Sequence, residues 1–169
     1  MKKIGAYLCA VLLMSITLLS FSPATALASS NNEHLVITVE TENPDIALEI
    51  YRSETVYDRG YSTVTRSHSG RFYLKSTGAT LANIKLTGKF SYDGTLCNVT
   101  SSVGNVTNVE DGWRVTKTTS KTQVSPTLAK AVGEFYLYKE SSNTLSSSAT
   151  ITIYCNQNGN TSSQFNGDE

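Results

Sequence analysis

The sequence predicts an all-β protein: one antiparallel β-sandwich domain, immunoglobulin-like in general architecture, behind a cleaved signal peptide. Three observations predict it. Val, Ile, Thr, Tyr and Ser dominate the chain beyond residue 28, no ten-residue window there keeps a 3.6-residue apolar period, and Gly, Asn and Asp punctuate at short intervals.

The first element is a targeting segment. Lys2 and Lys3 precede an apolar run over 4–21, followed by Ser22-Pro23-Ala24-Thr25-Ala26-Leu27-Ala28, the charge, apolar core, helix breaker and Ala-x-Ala site of a secretory signal peptide. An uncleaved anchor fits less well, because Ser15, Thr17 and Ser20 interrupt the run and no stop-transfer charges follow. Cys9 is preceded by Ala6-Tyr7-Leu8 rather than a lipobox, so it is expected to leave with residues 1–28. The remainder divides into a disordered N-terminus (29–34), a sandwich domain (35–157) and a disordered polar tail (158–169). The expected location is extracellular, at most loosely cell-wall associated, with no transmembrane span in the mature chain.

Within the domain, residues 35–39 read as a strand, turned at Asn43-Pro44-Asp45 and followed by a strand over 46–51, since proline blocks helix and ladder alike. A polar stretch (52–60) leads to strands over 61–65 and 71–75, divided at Ser69-Gly70. Asp93-Gly94 predicts a two-residue type I′ hairpin pairing Tyr92 with Thr95, Phe90 with Cys97, Gly88 with Val99, Leu86 with Ser101 and Ile84 with Val103. That register puts every apolar member, and Cys97, on one face, with Asn83, Lys85, Thr87, Lys89 and Ser91 on the other. Asp111-Gly112 opens a strand over 113–119, Ser125-Pro126 breaks the chain before a run over 131–139, and a last strand over 149–155 alternates Ile151, Ile153 and Cys155.

The run Gly78-Ala79-Thr80-Leu81-Ala82-x-Ile84-Lys85-Leu86-Thr87-Gly88-Lys89-Phe90-Ser91-Tyr92-Asp93-Gly94, with Cys97, Trp113-Arg114-Val115-Thr116, and Cys155 before Asn158-Gly159, resembles a group of small secreted proteins of Gram-positive, Clostridia-like bacteria. The resemblance covers about residues 70–160 and implies source, secretion and a β-rich body, but no site.

Once the signal is removed, Cys97 and Cys155 are an even pair bound for a non-reducing compartment, and a disulfide between them is expected. Its loop of about 60 residues corresponds to roughly 4 kcal/mol in the chain-entropy picture. Two free thiols are the alternative. Losing Lys2 and Lys3 leaves 12 basic against 14 acidic groups, minus two, which argues against a dedicated nucleic-acid binder. Charge is segregated: seven carboxylates and one Arg over 33–58, then six basic residues and no acid over 59–89. Cross-strand pairing is the plain explanation, and a positive patch for an anionic polymer or glycan the sharper one.

No catalytic, cofactor-binding or metal-binding motif is read. His68 lies beside Ser67 and Ser69 without a nucleophile elbow and is expected to be an exposed turn residue. Glu40 and Glu42 share one strand face but have no apolar pocket to separate their pKa values, so a solvated edge explains them. Asn98, Asn105 and Asn160 begin glycosylation-type triplets that carry no meaning in a bacterial host. Aromatics offer the better surface. In Phe135-Tyr136-Leu137-Tyr138 one parity faces out; Tyr136 and Tyr138 are the expected outer pair, with burial between layers the alternative. With Arg66, Arg71 and Tyr73 they make the candidate binding surface, while Trp113 is expected in the core. The expected function is non-enzymatic binding to a cell-wall polymer, glycan or surface protein. The runner-up is a small secreted effector: a toxin, bacteriocin-like factor or inhibitor.

Overall fold

The computed structural model describes residues 34–58 and 62–167. The expected signal peptide, residues 29–33 of the N-terminal segment, and Tyr61 lie outside the described residues.

The described chain is all β: β1 (His34–Glu40), β2 (Ile46–Tyr57), β3 (Thr63–Leu74), β4 (Thr80–Tyr92), β5 (Cys97–Thr107), β6 (Trp113–Ser125), β7 (Leu128–Lys139), β8 (Thr144–Asn156) and β9 (Thr161–Gly167). They form two antiparallel sheets, β1-β2-β3-β4-β5 and β6-β7-β8-β9. Strand order equals chain order in both, whereas an immunoglobulin sandwich interleaves strands through Greek-key connections. Its likeness to that architecture stops at two antiparallel sheets around a shared core. The core is supplied by alternate residues of both sheets, among them Leu48, Ile50, Phe72, Ile84, Leu86 and Phe90 from the first and Phe135, Leu137, Ile151 and Ile153 from the second. Trp113 packs against it, half-buried.

Several expectations need correction. Ser69-Gly70 does not divide two strands, because β3 runs unbroken from Thr63 to Leu74. Gly70 is a packing residue there: a Cβ would lie 2.8 Å from Ile50 Cδ1 and 2.9 Å from the Glu49 carbonyl. The β4–β5 loop has four residues rather than two, pairing Tyr92 with Cys97 and Phe90 with Val99. Asp93 builds the longer loop, its Oδ1 accepting from the Thr95 amide (2.8 Å), the Leu96 amide (2.7 Å) and the Thr95 hydroxyl (2.6 Å). The two-residue shift keeps parity, so Phe90 and Cys97 still point inward.

A bulge then reverses β5. Beyond Phe90↔Val99 the next partner pair is Lys89↔Ser101, which leaves Thr100 unmatched and turns the rest of the strand over. Ile84 therefore meets Val106 instead of Val103, and Val103 is 47% exposed.

The polar tail expected to be disordered instead holds β9, paired with Ala149–Cys155 of β8. It alternates: Thr161, Ser163, Phe165 and Gly167 are half-buried, while Ser162, Gln164 and Asn166 are exposed. Phe165 reaches the core, so one aromatic in a polar frame suffices to dock the strand. On the opposite side, β6 closes the seam with polar side chains of inward parity. Lys117 Nζ donates to the Gly104 carbonyl (2.6 Å), Lys121 Nζ to that of Thr100 (3.3 Å) and Gln123 Nε2 to that of Cys97 (2.5 Å). Carbonyls along β5 are thereby covered rather than left as a pairing template.

Candidate functional site

Strand parity sorts the five proposed surface residues into three places. Tyr136 and Tyr138 lie on the outer face of the second sheet, alternating with buried Phe135 and Leu137. Arg71 and Tyr73 lie on the outer face of the first sheet, pointing the opposite way across the core. Arg66 is on no surface: it is 6% exposed, on the inner face of β3 with Val64, His68 and Phe72. Splitting β3 at Gly70 in the sequence hid this alternation.

Three cations of the first sheet's outer face are ion-paired, while Lys85 of the same face makes no ion pair among the described residues. Arg71 Nε sits 2.6 Å from Glu49 Oε2, and Tyr51 O–H donates to the same oxygen. The Arg71 bond, then that of Tyr51, holds the Glu49 carboxyl below its ordinary range. Arg71 also lies 5.0 Å from the Tyr73 ring centre and donates to Thr80 Oγ1 at 3.3 Å, and the Glu49 bond raises its own pKa. Lys75 pairs with Glu40, and Lys89 with Asp58 at 3.4 Å. These three ion pairs join the acidic 33–58 segment to the basic 59–89 segment, so cross-strand pairing accounts for part of the charge segregation.

The second sheet's outer face is different. Register aligns Arg114 with Tyr138, Thr116 with Tyr136 and Ser148, Thr118 with Glu134 and Thr150, and Thr122 with Lys130 and Tyr154. The Arg114 guanidinium lies 4.5 Å from the Tyr138 ring centre and donates from Nη2 to Asn143 Oδ1 at 2.7 Å. Tyr136 O–H donates to Glu134 Oε2 at 3.3 Å; burial, then the Glu134 charge, pushes this phenol up. Tyr154 O–H donates to Gln164 Oε1 at 3.3 Å. Among the described residues Arg114 and Lys130 make no ion pair. The face is a track of aromatic rings, hydroxyls and two uncompensated cations, about 27 Å from Lys130 to Tyr138 at ~3.4 Å per residue. Its members Arg114, Lys130, Glu134 and Tyr154 went unread in the sequence, although the parity that exposes Tyr136 extends to Glu134 and Lys130.

His68 is not an exposed turn residue; it is 1% exposed in the interior. Its Nε2 lies 2.6 Å from Ser163 Oγ, its ring meets Phe165 edge-on at 4.9 Å, and Arg66 Nε–H donates to Nε2 at 3.5 Å. Arg66 also donates to Thr55 Oγ1. The serine–histidine distance suits a nucleophile and its base. His68 is enclosed in the interior, and its contact with Ser163 ties β3 to β9, one strand of each sheet.

A cleft of about 410 Å³ lies between the β1–β2 turn and the start of β8, lined by Glu42, Asn43, Pro44, Leu145 and hydroxyls that include Ser147. Among the described residues of this lining, Glu42 is the charged group. Cys97 and Cys155 are both buried. No known protein family, curated protein or solved structure matches this chain.

Proposed function

We propose that this chain is a secreted, non-enzymatic binding protein that uses the outer face of its second sheet to hold an extended, hydroxyl-rich ligand. The ligand class is a cell-wall polymer or glycan, with a surface protein as the other candidate. The observation that carries this reading is Tyr136 standing between Thr116 and Ser148, beside the Arg114–Tyr138 stack, on a sheet face that also carries Thr118, Thr122 and Thr150. Tyrosine presents large contact area with a polar tip at little entropic cost, and neighbouring hydroxyls match a polyol. Export by a signal peptide, a Gram-positive source and a sandwich architecture of immunoglobulin type in its general layering complete the proposal. Nucleic acid is not the proposed partner, since mature charge is minus two.

The experiment is capture by immobilised protein of isolated cell wall, mucin glycans and cell-surface proteins, with Tyr136→Ala/Tyr138→Ala alongside. Saturable capture that falls at least about tenfold in the double variant is expected. Equal capture by both proteins overturns the assignment of the face.

One observation favours a second reading. β1 is an edge strand whose Leu35 and Ile37 are 54% and 42% exposed, a template for adding a strand from a target protein. An effector acting through β1 predicts growth inhibition of a competitor strain that Ile37→Lys abolishes and the tyrosine variants leave intact.

A further inference from the structure

We propose that Cys97 and Cys155 are a modification site: they are joined by a disulfide that ties the first sheet to the second, and the bond is made before the core closes. The site rests on secretion and stands independently of what the outer face binds.

Two strands bring the sulfurs together. Cys97 opens β5 opposite Tyr92, and Cys155 lies near the end of β8 opposite Ala129. Both point into the same core cluster at 0% exposure. There Cys97 lies within interaction range of Cys155 and of the backbone of Ala129, the direct strand partner of Cys155, while the Cys155 thiol donates to the Asn156 carbonyl at 3.5 Å. Backbone hydrogen bonds hold the two strand ends together. The Cys97 amide donates to the Pro126 carbonyl (3.0 Å) and the Gln157 amide to that of Thr127 (3.0 Å), so one β6–β7 turn holds the flank of each cysteine. The Gly94 amide donates to the Gln157 carbonyl at 2.9 Å and ties the β4–β5 loop directly to the end of β8.

The same burial dictates when the bond forms. Disulfide exchange begins with a thiolate attacking a disulfide-bearing oxidant. One sulfur forms a mixed disulfide and releases the oxidant's first thiol; the second cysteine then attacks the bound sulfur and releases the other. Two thiols lose two electrons and two protons, and the oxidant's disulfide is reduced to two thiols. In the folded state no oxidant reaches a sulfur at 0% exposure, and burial pushes the Cys155 thiol up to about 12, leaving little thiolate. Exchange therefore belongs to the open chain, and a molecule folded in the reduced form stays reduced.

The test uses the full chain in two arms, followed by trypsin digestion without reductant. Peptides 90–114 and 140–169 each contain one of the two cysteines, and Cys9 lies in neither. In the first arm, denatured reduced protein is refolded with oxidised glutathione; in the second it is refolded with a phosphine reductant, which is removed before the same oxidant is added. Linked 90–114/140–169 is expected in the first arm, with a Tm on the order of 10 °C above the reduced protein. In the second arm, formation slowed at least about a hundredfold is expected, restored when denaturant is added with the oxidant. Unlinked peptides in the first arm overturn the bond. Equal rates in both arms overturn its timing.

Discussion

At the scale of single residues, His68 and Ser163 stand 95 positions apart in the chain and 2.6 Å apart in the fold. Ser163→Ala is expected to cost about 1–2 kcal/mol by removing that partly buried hydrogen bond, while binding by the outer face is unchanged. Denaturant unfolding and the capture assay check the two halves. Nothing local announces the pair: Arg66 and His68 in mid-strand look like turn chemistry until partners from distant chain segments are known. Parity alone places Tyr136 and Tyr138, through their buried neighbours Phe135 and Leu137. A second prediction concerns Glu49. Its carboxyl is held below the ordinary range by Arg71 and Tyr51, so its contribution is present above the unfolded glutamate value of about 4.3 and fades as pH falls through the lower folded value. Thermal unfolding between pH 5 and 2 should drop less steeply for Glu49→Gln than for the parent. Parallel curves would show that the Arg71 pair adds nothing, as many exposed pairs do not.

At the scale of elements, strand existence was easier to read than register. β4 alternates cleanly and its inward set, Ile84, Leu86 and Phe90, matches the expectation. β5 departs from it at Thr100, because a bulge inserts one residue without any mark in composition and exchanges the two faces thereafter. β9 was missed for the opposite reason: its alternation is present, but only Phe165 is apolar enough to signal it. Close approach of the sheets is equally invisible before pairing is known. Gly133 of β7 leaves room for Leu86, whose Cδ1 would lie 2.8 Å from a Cβ at that position. Gly133→Val should therefore cost about 1–3 kcal/mol by overpacking, read as a lower urea midpoint at unchanged slope. A neutral outcome would mean that the sheets separate freely at this crossing.

At the scale of the whole molecule, two antiparallel sheets share one core yet turn unlike faces to the surroundings. The first pairs Lys75, Arg71 and Lys89 with Glu40, Glu49 and Asp58, charges drawn from the acidic and basic halves of its own sequence, and leaves Lys85 without an ion pair among the described residues. The second presents Arg114, Lys130, Tyr136 and Tyr138 without carboxylate partners for the two cations among the described residues. Composition gave the fold class, but which face is spent and which is available depends on pairing across strands. The direct measurement is therefore ligand affinity for paired variants on the two faces, Tyr136→Ala/Tyr138→Ala against Arg71→Ala/Tyr73→Ala, using whichever cell-wall or glycan fraction the parent captures. The account predicts at least a tenfold loss, about 1.4 kcal/mol, for the second-sheet pair and a change under about twofold for the first-sheet pair. The reverse pattern, or equal losses from both, would contradict it.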